Sequence, residues 1–181
     1  MKINSQEARE IFDLNHYVIF RNYLDVPDIS LFDEAYQQKA DVSNSNDSKP
    51  LGSMKIVPEY FFKDKNVINF YDECSSLYNV KTTLLMLEGT GGGSPTSRHS
   101  DQSDVIHWQC GGQSEWIFYD LPTKGSETKF IMNSGDVIWF QKDRDHSVQN
   151  LKDKVSIIFN EKNYLRDFIK KQYAAVGLEF I

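Results

Sequence analysis

Three ionisable side chains of this sequence have the types and the spacing of a metal site. His99 and Asp101 stand two residues apart in Arg98-His99-Ser100-Asp101. On a strand, side chains two residues apart lie on the same face, so both groups can reach one ion. His146 stands far downstream, at the start of another predicted strand. We therefore take His99, Asp101 and His146 as candidate metal ligands and as the candidate catalytic centre.

This combination of ligands favours iron. Two histidines and one carboxylate form the facial triad of non-haem Fe(II) oxygenases, and three coordination positions stay open for a co-substrate and O2. His16 has no acidic or cysteine neighbour at ligand spacing, so we interpret it as structural. Because this spacing often arises by chance, the interpretation of the triad as a metal site depends on the sequence motifs around it.

Other motifs in the chain are incomplete. The Gly-rich segment 89–97, GTGGGSPTS, lacks the Gly-Lys-Ser/Thr ending of a phosphate-binding loop and the last glycine of a dinucleotide fingerprint. It is therefore predicted to be a flexible loop. The two cysteines, Cys74 and Cys110, are too few for a disulfide framework or a cysteine zinc site. Cys110 is predicted to be a small apolar core residue.

The size and composition of the chain exclude several classes of protein. A chain of 181 residues is about the size of one domain, and its 40% AVILMFWYC content excludes wholesale disorder. No stretch is long and apolar enough for a transmembrane helix, and the polar N-terminus lacks a secretion signal, so we expect a cytoplasmic protein. A net charge of −6 argues against broad nucleic-acid binding.

Helices are predicted first along the chain, and strands after them. Residues 5–15 form a predicted helix with Ser5 as N-cap, residues 16–24 a strand, and residues 26–40 a second helix. Residues 41–53 are predicted to be a mobile loop, and residues 58–77 have a mostly helical pattern. From residue 80 onward, seven short strands or strand halves favour a barrel or sandwich, and a closing helix follows.

The segment around His146 resembles a known motif. GDVIWFQKDRDHSVQN, residues 135–150, is similar to the second cupin motif, G-x5-P-x-G-x2-H-x3-N. Gly135, His146 and Asn150 are in register, whereas Gln141 and Asp143 replace the usual Pro and Gly. Residues 98–101 resemble the first cupin motif with H-x-D in place of H-x-H and without the downstream Glu.

This substitution pattern resembles the JmjC-like, cupin-type Fe(II)/2-oxoglutarate-dependent oxygenases. Gln109, Gly112 and the aromatic strand after them match the family, but Ser114 occupies the position of its basic residue. Thr96 and Asn160 match a threonine and an asparagine that lie near the co-substrate in the family. The resemblance covers roughly residues 15–163.

The resemblance implies an α+β, mainly β fold, a double-stranded β-helix of the cupin or jelly-roll type. We expect one domain over residues 1–181: an N-terminal helical region with one strand (1–79), a barrel core (80–163) and a closing helix (164–181). If strand parity holds from Asp101, His107 and Gln109 face the barrel interior, whereas a bulge would leave His107 as an ordinary core or surface residue. Trp108, Trp116 and Trp139 are predicted to pack in the core or at the barrel rim.

The resemblance also implies a mechanism. Fe(II) is held by His99, Asp101 and His146, 2-oxoglutarate chelates the iron, and O2 completes the reaction that gives succinate, CO2 and a hydroxylated substrate. That substrate can be a protein, a nucleic acid or a small molecule. Segments 41–53 and 89–95 are predicted lids over the barrel mouth. A 2-oxoglutarate-independent cupin metalloenzyme and a non-catalytic cupin binding module stay open as alternatives.

The distal carboxylate of 2-oxoglutarate needs a positive partner that Ser114 cannot supply. Other 2-oxoglutarate oxygenases use a basic residue in an R-x-S-like context, roughly ten positions after the last metal histidine. Lys154-Val155-Ser156 lies eight positions after His146 and resembles that pattern. Lys154 is therefore a candidate co-substrate ligand together with Thr96 and Asn160, although it can equally be an ordinary hairpin lysine.

Overall fold

The computed structural model of the chain describes residues 1–27, 54–58, 64–78, 84–90, 93, 95–119 and 126–160. The predicted helix 26–40, apart from its first two residues, the predicted loop 41–53 and the predicted closing helix 164–181 lie outside the described residues.

Each described helix begins at a residue whose side chain caps it. Helix α1, Gln6–Asn15, starts after Ser5, whose Oγ accepts a hydrogen bond from the Ala8 amide, which confirms the predicted N-cap. It ends at His16, which has a left-handed backbone with φ 63° and caps the helix. Helix α2, Lys65–Leu77, starts after Asp64, whose carboxylate accepts hydrogen bonds from two amides of the first turn.

The described residues contain ten strands. They are β1 Tyr17–Phe20, β2 Met54–Pro58, β3 Leu84–Thr90, β4 Pro95–His99, β5 Val105–Gly111, β6 Gln113–Tyr119, β7 Glu127–Asn133, β8 Val137–Phe140, β9 His146–Asn150 and β10 Lys154–Asn160.

The strands pair into two antiparallel sheets. The first has the order β1-β8-β5-β10-β3-β2 and the second the order β4-β9-β6-β7. From β3 to β10 the chain passes back and forth between the sheets, so that eight strands wind into a double-stranded β-helix, and β1 and β2 extend the edges of the larger sheet. The structure therefore confirms the predicted fold class.

The larger sheet is covered on both faces, which explains why every residue of β5 is buried. Ile106, Trp108 and Cys110 join the core between this sheet and the two helices. Val105 belongs instead to the core inside the barrel, and residues alternate between the faces of a strand, so His107 and Gln109 face inward with it. His107 therefore faces the barrel interior, as one of the two open alternatives expected, although residues 100–104 before β5 form a loop rather than a continuous strand.

A glycine lets two turns pack against each other at one end of the barrel. Gly112, with φ +72°, joins β5 to β6, and a Cβ atom there would lie 1.7 Å from the Asp153 carbonyl oxygen of the β9–β10 turn. The Leu151 and Lys152 amides donate hydrogen bonds to the Gln113 carbonyl across the same contact. These contacts fix the start of β10 beside the start of β6.

The structure corrects three sequence expectations. The Gly-rich segment was predicted to be a flexible loop, but its ends belong to β3 and β4, with Gly93 in the turn between them. Strand β4 ends at the first candidate metal ligand. The mostly helical pattern over 58–77 corresponds to a helix that begins only at Lys65. Residues 1–79 contain a second strand, β2, where one was expected.

Candidate metal centre

Two neighbouring strands place the candidate ligands together. His99 is the last residue of β4 and His146 the first residue of β9, and the two are directly paired across the strands. Asp101 follows β4 by two residues, and its carbonyl oxygen accepts a hydrogen bond of 2.7 Å from the Asp143 amide in the β8–β9 turn. A strand thus fixes the backbone position of each histidine, and the turn that leads into β9 holds the backbone of Asp101.

The three side chains converge on one point. One possible ligand atom from each of His99, Asp101 and His146 lies within 4.8 Å of the others, and no other such group of three occurs within the described ranges. The Nε2 atom of His99 lies 3.9 Å from Oδ1 of Asp101, and the Nε2 atom of His146 lies 3.7 Å from Oδ2 of the same carboxylate.

Hydrogen bonds fix which nitrogen of each imidazole can bind a metal. Nδ1 of His99 lies 2.7 Å from the Ser97 carbonyl oxygen, and Nδ1 of His146 lies 2.8 Å from the Arg144 carbonyl oxygen. A carbonyl oxygen only accepts, so each Nδ1 carries a proton, and the neutral form of each ring, which is the form that binds a metal, has its lone pair on Nε2. Both lone pairs therefore point toward the Asp101 carboxylate, which is the arrangement that a cation requires.

The site is buried on one side and open on the other. The side chain of His146 is 3% exposed, whereas those of His99 and Asp101 are 40% and 35% exposed. Burial lowers the pKa of His146, although its hydrogen bond to the Arg144 carbonyl and the Asp101 carboxylate raise it in part. Histidine must be neutral to bind a metal, so a lowered pKa keeps His146 ready for that role.

Aromatic rings form the wall behind His146. The indole ring of Trp116 is stacked on the imidazole with 5.7 Å between centroids, and the Phe140 ring contacts it edge-on at 5.0 Å. Trp108 and Trp139 lie in the outer core, as predicted. Trp116 also packs in a core, but that core is the barrel interior beside the candidate metal centre, which the sequence pattern did not distinguish.

Ser114 lies inside the barrel and is fully hydrogen-bonded. Its Oγ donates to Oε1 of Gln109 at 2.9 Å and accepts from Nε1 of Trp116 at 3.1 Å. The side chain is completely buried. The position at which the resembling family carries a basic residue is therefore used here to hold the indole ring.

Lys154 is a buried cation rather than an exposed hairpin lysine. It is 2% exposed, and its Nζ lies 6.0 Å from the centroid of the Trp116 ring. Ser156, two residues along β10, is completely buried, and its Oγ has no hydrogen-bond partner among the described residues. Lys154 and the metal-site histidine His146 therefore lie against the same indole ring.

The other two candidate co-substrate ligands both lie on strands, Thr96 on β4, which was not predicted, and Asn160 on β10, which was. Thr96 of β4 pairs with Val148 of β9, whose side chain is in the barrel core, so Thr96 faces the interior on the same strand as His99. Asn160 is the last residue of β10 and pairs with Val105. Its backbone position agrees with the expected one, whereas its side chain lies outside the described part of the molecule.

An ion pair on the outside of the smaller sheet links the residues that precede the two histidines. The Arg98 guanidinium contacts the Asp145 carboxylate at 2.5 and 2.6 Å, and it stacks over the Tyr119 ring at 3.9 Å. This contact raises the pKa of Arg98 through its hydrogen bond to Asp145. It joins β4, β6 and β9 directly behind the site.

Sequence reasoning missed two features of this site. The stacking of Trp116 on His146 follows from register, since Phe118 pairs with His146 and Trp116 with Val148. The internal hydrogen bonds of Ser114 require the same register. The signal that could have found them is the alternation in β6, where Ser114, Trp116 and Phe118 share one face.

Comparisons with solved structures give distant similarity. A conserved protein from Streptococcus pyogenes is 14% identical with a TM-score of 0.38, and the match covers 46% of this chain and 68% of that one. The cupin domain of CENP-C from Drosophila melanogaster is 15% identical with a TM-score of 0.39, covering 42% and 59%. Oxalate decarboxylase from Bacillus subtilis, described with Mn(II) centres, is 17% identical with a TM-score of 0.44, covering 62% and 26%.

These matches span less than two thirds of the CENP-C domain and about a quarter of the decarboxylase. No protein-family model matches the chain, and no curated protein matches it. The strand order of the two sheets, rather than these matches, defines the fold. Among the described helices, none is long and apolar enough to cross a membrane.

Proposed function

We propose that this protein is an Fe(II)- and 2-oxoglutarate-dependent dioxygenase that hydroxylates a substrate. The observation that carries the proposal is the orientation of the two imidazoles, whose Nε2 lone pairs converge on the Asp101 carboxylate because both Nδ1 atoms donate to backbone carbonyls. Two nitrogen donors and one carboxylate suit Fe(II) and leave positions open for other ligands. When bound, iron supplies the redox chemistry with O2 and 2-oxoglutarate.

The interior of the barrel suits a dicarboxylate. One end of 2-oxoglutarate would lie at the candidate metal centre, and the other would meet the ammonium group of Lys154. The centroid of the Trp116 indole lies 5.7 Å from the centroid of the His146 ring and 6.0 Å from Nζ of Lys154, so both groups are next to the same side chain. Burial of Lys154 makes its interaction with a carboxylate stronger than it would be in water.

Other side chains of the barrel interior shape the site and exclude water from it. Trp116, Phe118 and Phe140 surround His146 on its buried side and keep water from it. Ser114 and Gln109 hold the indole ring in place through the hydrogen bonds of its Nε1 atom and of the Ser114 hydroxyl. The exposure of His99 and Asp101 leaves the opposite side open for the substrate to approach. The proposed partners are O2 and one substrate, which is a protein, a nucleic acid or a small molecule.

A second candidate is a cupin metalloenzyme that does not use 2-oxoglutarate. The observation that favours it concerns Ser114, which occupies the position of the basic residue in the 2-oxoglutarate oxygenases that the sequence resembles. Its hydroxyl already donates to Gln109 and accepts from Trp116. A cupin binding module without catalysis is the third candidate.

One assay separates these functions. The purified protein is incubated with Fe(II), O2 and 2-oxoglutarate, and succinate is measured along with the bound metal. We expect succinate from the wild type and none from the Asp101→Ala variant. Iron binding without succinate would support the 2-oxoglutarate-independent enzyme, and absence of any bound metal would support the binding module.

A further inference from the structure

Several buried polar side-chain atoms have no hydrogen-bond partner within the described part of the chain, and two of them lie on one inner wall of the barrel. These two are Nε2 of His107, on a side chain that is 2% exposed, and Oγ of Ser156, on a side chain that is completely buried. Buried polar atoms in proteins almost always have partners, and each exception needs an explanation. The hydrogen bonds of Ser114 and Gln109 do not involve these two atoms.

The two side chains lie on the same inner wall. Strands β5 and β10 are antiparallel, with His107 paired to Ile158 and Gln109 paired to Ser156. His107 and Ser156 are therefore diagonal neighbours on the inward face, a relation that places side chains within reach of a shared ligand. Lys154 follows on the same face of β10, two residues before Ser156.

The surroundings of His107 are apolar enough to accept an apolar residue. Its ring contacts Trp116 edge-on with 4.9 Å between centroids, and Val105 and Ile158 belong to the same interior core. A leucine at this position would fill similar space without the free-energy cost of burying an imidazole nitrogen that has no hydrogen-bond partner. A polar side chain held here without a protein partner fits a position that contacts a bound ligand.

His107 is also neutral, which decides how it can bind. Burial lowers its pKa well below the ordinary value, and the charge of Lys154 and the neighbouring His146 lower it further. A neutral imidazole can donate one hydrogen bond from Nε2 to a carboxylate without adding a second positive charge beside Lys154.

We propose that His107, together with Ser156, hydrogen-bonds the distal carboxylate of the 2-oxo acid that Lys154 holds. This inference rests on the proposed function and deepens it, because it makes His107 a specificity-determining residue. Lys154 supplies the charge, and two neutral donors fix the orientation of the carboxylate. The site therefore selects 2-oxo acids with a second carboxylate over those with an apolar end.

Two ligands and two substitutions test this role. The Mn(II)-loaded protein, kept without oxygen turnover, is titrated calorimetrically with 2-oxoglutarate and with 2-oxopentanoate, which has the same keto acid end and a methyl group in place of the distal carboxylate. His107→Leu removes the hydrogen bond, whereas His107→Gln keeps a neutral donor. His16→Asn is the control, since His16 caps helix α1 outside the barrel and asparagine tolerates its left-handed backbone.

We expect His107→Leu to weaken 2-oxoglutarate binding about tenfold or more and to leave 2-oxopentanoate binding unchanged. His107→Gln is expected to recover most of the loss, and His16→Asn to behave as the wild type. Ser156→Ala provides a second variant, with a smaller loss in the same direction. The ligand-free Leu and Ala variants should melt no lower than the wild type, because each removes a polar atom without a partner.

The outcomes separate this inference from the proposed function. If the wild type binds 2-oxoglutarate and neither His107→Leu nor Ser156→Ala changes its preference over 2-oxopentanoate, His107 and Ser156 do not contact the carboxylate and the inference is overturned. Equal weakening of both ligands would also overturn it, since that pattern indicates a merely structural role. A wild type that binds neither ligand would overturn the proposed function itself, and this inference with it.

Discussion

Lys154 is the residue on which the choice of 2-oxoglutarate depends most. Replacing it with alanine, or with methionine of similar length, removes a cation that is 2% exposed inside the barrel. Truncating one partner of a buried, hydrogen-bonded charge pair typically costs about 2–5 kcal/mol, much of it from leaving the other charge unpaired. At about 1.4 kcal/mol per factor of ten, the affinity for 2-oxoglutarate should fall by roughly 30-fold to several thousand-fold.

Calorimetry on the Mn(II)-loaded variants measures this loss directly. The metal affinity should stay unchanged, because Lys154 is not among the three candidate ligands. Lys152→Ala is the matched control, since Lys152 lies in the β9–β10 turn, two residues before Lys154, and is exposed. It should bind 2-oxoglutarate as the wild type does.

A second readout checks that the cation acts inside the barrel. Burial lowers the pKa of His107, and the charge of Lys154 adds to the effect. Lys154→Met should therefore raise the pKa of His107, which NMR titration of the imidazole resonances can follow. Wild-type affinity for 2-oxoglutarate in Lys154→Met would refute the anchor and would favour the 2-oxoglutarate-independent cupin enzyme.

Three further predictions concern stability. Because the pKa of His107 is lowered in the folded state, the unfolded chain takes up more protons below about pH 6.5, and the metal-free protein should lose stability as the pH falls. His107→Gln should reduce that slope by up to about 1.4 kcal/mol per pH unit in urea titrations, and an unchanged slope would count against a buried neutral His107. Gly112→Ala should lower the free energy of unfolding by at least about 3 kcal/mol, because the added Cβ would lie 1.7 Å from a backbone oxygen. Gly93→Ala, where the added Cβ meets open space, should lower it by only about 1 kcal/mol. Equal losses in the two variants would contradict the turn packing. Ser114→Ala should cost about 1–3 kcal/mol by stranding the Gln109 and Trp116 groups, and a neutral effect would rule out that pair of hydrogen bonds.

The sequence predicted the barrel well because its strands have a strong local signal. The segments from Val105 to Asn160 alternate or are continuously apolar, and the structure places strands at each of them. Strand β4 was missed because its sequence, PTSRH, has no apolar residue except proline, and its pairing with β9 is a tertiary effect. No local pattern marks such a strand.

The candidate metal centre could be predicted because it depends on short spacings. His99 and Asp101 are two residues apart, and the register of G-x5…H-x3-N around His146 indicates a second strand of the same barrel. The structure brings these three side chains together. Sequence could not show which imidazole nitrogen is available to a metal ion, because that depends on the carbonyls of Ser97 and Arg144.

The interior of the barrel was harder to predict. Whether His107 faced inward depended on the loop between Asp101 and β5, whose length does not determine the parity of the next strand. Lys154 looked equally like an exposed turn residue, and its burial depends on the pairing of β10 with β3 and β5 and on the close approach of Gly112 to the Asp153 carbonyl. Both residues owe their burial to contacts between distant parts of the chain.

The central claim is that His99, Asp101 and His146 bind one metal ion. Titration of the chelator-treated protein with Mn(II), followed by electron paramagnetic resonance, measures it most directly, with Asp104→Asn as a control for a nearby carboxylate outside the site. We predict one tightly bound ion per chain in the wild type and in the control, and none in His146→Ala. An ion bound with unchanged affinity by His146→Ala, in a protein that still folds, would contradict the claim.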